Sequence, residues 1–110
     1  MICDFGDVAV VPFPFTDIEV TRYRPSLVLS RRPFNDANGN TVLAMITTAA
    51  GSTWPSDLPI VELKAAGLVK NCYVRWKIFT LQNQLIDRTI GQLVGADLVA
   101  ARSTMKAILG

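Results

Sequence analysis

Apolar positions along the chain gather into short runs that alternate with polar stretches rich in glycine, proline and asparagine, the pattern of a strand-based domain rather than a helical one. The first run, Asp7-Val8-Ala9-Val10-Val11-Pro12-Phe13-Pro14-Phe15, is β-branched at its start. Two prolines that cannot donate to a ladder then break it, so it reads as a strand finishing at a sheet edge. Residues 16–23 are polar, charged and without period, which predicts a long loop of the kind that carries function. After Pro25, Ser26-Leu27-Val28-Leu29-Ser30 predicts a short strand. Residues 31–40 read as a loop carrying Asn38-Gly39, ahead of a further apolar run, Thr41-Val42-Leu43-Ala44-Met45-Ile46-Thr47-Thr48, that should pair antiparallel with the preceding strand.

Residues 49–59, rich in Gly, Ser, Thr and Pro, form a second candidate functional loop around Trp54. Ile60-Val61-Glu62-Leu63 and Cys72-Tyr73-Val74-Arg75-Trp76 predict further strands with a turn at Ala65-Ala66-Gly67 between them; Ile78-Phe79-Thr80-Leu81 continues the second, and residues 89–94 predict a last short one. The period then changes. Leu98, Ala101, Met105, Ile108 and Leu109 recur at helical spacing, Asp97 stands close to the expected N-terminal cap, and Arg102 and Lys106 occupy another face toward the negative end of the dipole. Several short strands closed by one amphipathic helix define an α+β fold class: a small, partly open antiparallel barrel with a C-terminal helix.

Composition narrows this picture. With 110 residues, half of them apolar and 18% charged, the expectation is one domain, 1–110, with a single core. No basic segment leads into an apolar one at the N-terminus, and no run approaches the ~18 apolar residues of a membrane span, so a cytoplasmic protein is expected. Cys3 and Cys72 lack the close spacing of metal knuckles or redox pairs and read as free thiols. A net charge of +2 does not by itself imply nucleic-acid binding, but Arg22, Arg24, Arg31 and Arg32 cluster within eleven positions around one apolar segment. The absence of histidine removes the usual acid/base near neutral pH and the commonest transition-metal ligand.

Gly6-Asp7-Val8, Val11-Pro12-Phe13-Pro14-Phe15-Thr16-Asp17 and Arg24-Pro25-Ser26-Leu27-Val28-Leu29-Ser30 resemble the opening of a MazF/PemK-family toxin. Trp54-Pro55-Ser56-Asp57 and Lys77-Ile78-Phe79-Thr80-Leu81 are similar to later blocks of its PemK-like branch. Together the pieces span nearly the whole chain. The resemblance implies an SH3-like barrel with a C-terminal helix, a homodimer, a cognate antitoxin protein as partner, and sequence-selective cleavage of single-stranded RNA. It carries the catalytic pair onto Arg24, directly before the proline, and Thr47, at the end of the following strand, with attack by an RNA 2'-hydroxyl giving 2',3'-cyclic phosphate and 5'-hydroxyl ends.

The residue types suit that chemistry. A planar guanidinium matches the non-bridging oxygens of a phosphorane, and Pro25 biases Arg24 toward extended backbone, which presents the side chain from a fixed position. Thr47 can donate to another phosphate oxygen; Thr48, expected on the opposite face, is a secondary candidate. Asp17 or Glu19 are the candidate bases, with solvated loop carboxylates as the alternative, because arginine is a poor proton acceptor. No acidic cluster has metal-ligand spacing, so no metal and no cofactor is expected. For RNA binding the candidates are Arg22, Tyr23, Arg31 and Phe34 near the first loops, Trp54 in the second, and Arg75 and Lys77 in the C-terminal block. Packing under a loop or at a dimer interface is the alternative for Phe34 and Trp54, and a strand-edge salt bridge the alternative for Arg75 and Lys77. Two rival functions remain on the same fold: a gyrase-directed toxin, whose usual C-terminal tryptophan this chain lacks, and a non-catalytic homologue that only binds an antitoxin. Asn71-Cys72-Tyr73, in place of a Pro/Ser-like stretch, and a first loop poor in Gly and Ser are departures that bear on cleavage specificity.

Overall fold

The computed structural model describes residues 1–13, 22–48 and 51–110. Strands β1 (Asp7–Phe13), β2 (Arg22–Val28), β3 (Asn40–Thr48), β4 (Leu58–Pro59), β5 (Cys72–Gln82) and β6 (Arg88–Gln92), with helices α1 (Arg32–Asn38) and α2 (Gly95–Leu109), make up the chain. The strands form one antiparallel sheet in the order β4-β5-β3-β2-β1-β6, curled into a half-barrel, which is the α+β, SH3-like architecture expected from the sequence. Curvature comes from irregular register. Between Ala44 and Met45 the β5 partner jumps from Ile78 to Arg75, leaving Trp76 and Lys77 as an insertion that bends the strand.

Because side chains alternate along each strand, the sheet buries a different cluster on each face. One face carries Val8, Leu27, Leu29, Ala44, Ile46, Val74 and Trp76, and α2 covers it through Leu98, Ala101 and Met105. The other carries Ala9, Val11, Val28, Leu43 and Leu81, closed by Cys3 and Ile86. Each fully buried aliphatic side chain contributes about 1.5–3 kcal/mol. Both cysteines are buried free thiols, and burial is the main cause pushing each above its ordinary value.

Five sequence expectations are corrected. Residues 32–38, expected within a loop, form α1: Pro33 suits the first helical turn and Gly39, at φ 64°, closes the helix in the left-handed region. Asn35 holds α1 in place, donating to the carbonyls of Cys3 (2.9 Å) and Ser30 (3.1 Å) while fully buried. Strand β2 starts at Arg22 rather than Ser26, so Arg22 and Tyr23 belong to the sheet and not to the preceding loop. Residues 60–63 are not a strand. The buried carboxylate of Asp97 accepts the N–H groups of Val61 (3.1 Å) and Glu62 (2.8 Å), taking the donors a ladder would need. Asp97 therefore braces α2 against that turn rather than capping its own helix, where no side-chain cap bond forms. Finally, the apolar stripe of α2 runs past the core: Ile108 and Leu109 are exposed.

Candidate RNA-binding face

Arg24 lies on β2 opposite Val11 of β1, with its side chain exposed at the end of the sheet where β3 finishes. The β2–β3 ladder pairs Val28 with Leu43, Leu27 with Ala44 and Ser26 with Met45. It stops at Pro25, which has no N–H to give. Carried two residues further, the same register sets Arg24 across from Thr47, and Thr47 in turn pairs with Tyr73 on β5. Directly opposed residues project from the same face, so Thr47 and Tyr73 form a row on β3 and β5, and Arg24, two residues from Ser26 on β2, projects from that same face. Ser26, Met45 and Arg75 form the next row on that face, and Arg22 lies two residues beyond Arg24. Thr48 pairs with Cys72 and so belongs to the opposite face. Tyr23, between the two arginines, also projects opposite to Arg24 and is exposed.

Arg75 is held rather than free. Its Nε and Nη2 donate to the two carboxylate oxygens of Asp57, at 3.1 and 2.8 Å, and Nη2 also donates to the Ser52 carbonyl. Asp57 in addition accepts the Trp54 N–H at 3.0 Å, closing a tight turn. The Trp54 ring then lies beside two cations, 5.7 Å from the Arg75 guanidinium and 5.6 Å from the Lys77 ammonium, while its own surface stays partly exposed. The hydrogen bonds from Arg75 hold the Asp57 carboxyl below its ordinary range, and Asp57 raises Arg75 reciprocally. The result is a clasped loop presenting an aromatic face beside β5.

The arginines clustered in sequence are divided in space. Arg22 and Arg24 stand at one end of β2, and Arg31, with Phe34 on α1, at the other, roughly 20 Å away at about 3.3 Å per residue. Phe34 is exposed and Arg31 is not on the face of Arg24. Asp17 and Glu19 fall outside the described residues, as does the 49–50 pair. Sequence reasoning did not single out Tyr73 or Asp57 as parts of a site. The signal for Asp57 was its position three residues after Trp54, the spacing of a side chain closing its own turn; Tyr73 needed the β3–β5 register, which no single strand reveals. Among the described residues, no three acidic or cysteine side chains converge as metal ligands, and no helix is long and apolar enough to cross a membrane.

The family model for PemK-like, MazF-like toxins of type II toxin–antitoxin systems matches residues 4–109. The chain belongs to the PemK/MazF toxin family. Solved structures agree on the fold. A MazE–MazF complex from Deinococcus radiodurans is 19% identical with a TM-score of 0.78, covering 100% of this chain and 98% of that one. An endoribonuclease bound to its cognate antitoxin from a mycobacterial species is 16% identical with a TM-score of 0.74, covering 99% and 94%. The Mycobacterium tuberculosis toxin MazF-mt6 is 19% identical with a TM-score of 0.71, covering 92% and 93%. No curated protein matches the sequence.

Proposed function

We propose that this PemK/MazF-family chain is the toxin of a toxin–antitoxin pair and acts as a metal-independent, sequence-selective endoribonuclease on single-stranded RNA. The observation supporting this reading is that the strand registers put Arg24 and Thr47 on the same face of the sheet, at the end where the β2–β3 ladder stops. The Arg24 guanidinium receives the non-bridging oxygens of the scissile phosphate and strengthens its hold as they gain charge during attack by the neighbouring 2'-hydroxyl. Thr47 donates its hydroxyl to a second oxygen, and Tyr73 adds a phenolic hydroxyl at the end of the row. Trp54 offers a stacking surface for an unpaired base, with Lys77 beside it for the backbone; Arg22 extends the cationic track. Asp17 and Glu19 remain the candidate bases. A cognate antitoxin, a homodimeric assembly and a cytoplasmic setting belong to the same reading, supported by family membership.

The test is digestion of a long single-stranded RNA in EDTA by the purified protein and by Arg24→Ala, reading fragments and end groups. Discrete fragments with 2',3'-cyclic phosphate and 5'-hydroxyl ends, absent with the variant, are the expected result. Intact RNA across varied substrates would leave a binding-only toxin as the better reading.

A further inference from the structure

Departure of the 5'-oxygen is the half of the cleavage that Arg24 and Thr47, engaged with the non-bridging oxygens, leave unassisted. An alkoxide leaves slowly unless it takes a proton as its bond to phosphorus breaks. The chain has no histidine to give one. Guanidiniums hold their protons too tightly to serve, which sets aside Arg22, Arg24 and Arg75. The Lys77 ammonium lies over the Trp54 ring at 5.6 Å, further along β5 and beyond the irregular step in its ladder with β3. Of the two tyrosines, Tyr23 projects from the face opposite to Arg24. On the face of Arg24, Tyr73 is the remaining described side chain with a proton to transfer.

Its position suits the task. Tyr73 sits inside the sheet rather than at an edge, paired with Thr47 of β3 on one side and Pro59 of β4 on the other. Strands on both sides fix its direction, so the phenol stands beside the Thr47 hydroxyl on the face that carries Arg24. The Cβ atoms of such an opposed pair are about 5 Å apart, and the phenol is the longer side chain, so its hydroxyl reaches a phosphate oxygen other than the one Thr47 holds. Tyr73 is half-buried, and among the described residues nothing hydrogen-bonds its hydroxyl. Phenols keep their proton at neutral pH yet release it far more readily than guanidiniums. We propose that Tyr73 is the general acid of the cleavage, donating its phenolic proton to the leaving 5'-oxygen, an assignment that rests on the ribonuclease reading above. As the 2'-oxygen bonds to phosphorus, the electron pair of the breaking bond passes to the 5'-oxygen, which takes the Tyr73 proton and departs as a hydroxyl. The 2'-hydroxyl proton passes to the base, and the phenolate recovers a proton from water.

Single-turnover rates test this on two linkages placed at the cleavage site mapped in the EDTA digestion: the ordinary phosphodiester, and one whose bridging 5'-oxygen is replaced by sulfur. Thiols ionise far more readily than alcohols, so the sulfur leaves without an acid. On the ordinary linkage Tyr73→Phe should be at least roughly a hundredfold slower than the wild type, the usual size of a lost acid. On the sulfur linkage the two proteins should agree within about threefold, which also shows that the variant is folded. Thr47→Ala, which loses a bond to a non-bridging oxygen, should slow both linkages alike. Equal slowing of both linkages by Tyr73→Phe, in a protein whose melting curve matches the wild type, would overturn the proposal, as would an ordinary linkage cut at full rate. Should Tyr73→Phe melt early, fluorotyrosine at position 73 keeps both ring and hydroxyl. The alkaline fall of its rate on the ordinary linkage should move to lower pH, and an unmoved profile would overturn the proposal. Cleavage of the ordinary linkage by the wild type separates the two readings: without it both fall, and with it only the role of Tyr73 is at stake.

Discussion

Arg24 precedes a proline, and that single neighbour shapes both its backbone and its hydrogen bonding. Pro25 keeps Arg24 extended, and the β2–β3 ladder does not continue past Ser26, leaving the exposed guanidinium at the end of the sheet. Because Arg24 is exposed and without an acidic partner among the described residues, Arg24→Ala should change stability by no more than about 0.5 kcal/mol. Cleavage should fall at least roughly a hundredfold, as when one preorganised oxyanion donor is removed. Paired melting curves and rates separate the two effects; a variant that unfolds would show that the side chain supports the sheet instead. Thr47→Ala should behave similarly, and an unchanged rate would shift the donor role to Tyr73. At Asp57 the expected effect depends on pH. Its folded-state carboxyl is held below the ordinary 3.8 by Arg75, so the clasp contributes its full stabilisation above that value and loses it as pH falls toward the lowered folded value. Trp54 should therefore resist acrylamide quenching equally from pH 5 to neutrality, and more weakly only in stronger acid. Asp57→Asn should expose Trp54 even at neutral pH.

The elements divide into those dictated by local pattern and those set by long-range bonds. The short, β-branched apolar runs Val8 to Val11, Leu27 to Leu29 and Thr41 to Ile46 made β1, β2 and β3 legible, and helical spacing around Ala101 made α2 legible. Residues 60–63 misread as a strand because their apolar content says nothing about Asp97, some thirty-five positions away, which takes their donors. Helix α1 was hidden for a similar reason: the Asn38-Gly39 pair signals a hairpin turn as readily as a helix end, and the buried Asn35 contacts that decide the matter reach back to Cys3. Thr47 and Arg24 could be named from resemblance, but their alignment, and the inclusion of Tyr73, required the register. If Asp97 is a brace, Asp97→Ala should cost about 1–3 kcal/mol in urea unfolding by removing the charged acceptor of two part-buried N–H groups. Amide exchange at Val61 and Glu62 should accelerate specifically, whereas loss of an ordinary helix cap would accelerate the first amides of α2 instead.

Across the whole molecule, the net charge of +2 supplies little long-range attraction for a polyanion, so affinity for RNA must come from where the cations stand. Arg75 is occupied by Asp57, and Arg31 lies at the far end of β2, which leaves Arg22 and Arg24 as the open guanidiniums on the proposed face, with Lys77 beside Trp54. For single-stranded nucleic acid, log K falls against log salt with a slope of about −0.7 per phosphate neutralised. Three phosphate contacts, from Arg22, Arg24 and Lys77, then give a slope of about −2.1, far shallower than a protein relying on bulk charge, and two protomers sharing one strand give about −4.2. Fluorescence titration of a catalytically silent Thr47→Ala protein with an oligoribonucleotide, from low to moderate salt, distinguishes these values. Arg22→Gln should flatten the slope by about 0.7 per protomer engaged, while Arg31→Gln should leave it unchanged. A slope that responded to Arg31 as strongly as to Arg22 would mean the strand runs the length of β2, and the separation of the two ends argued from the sheet would have to be abandoned.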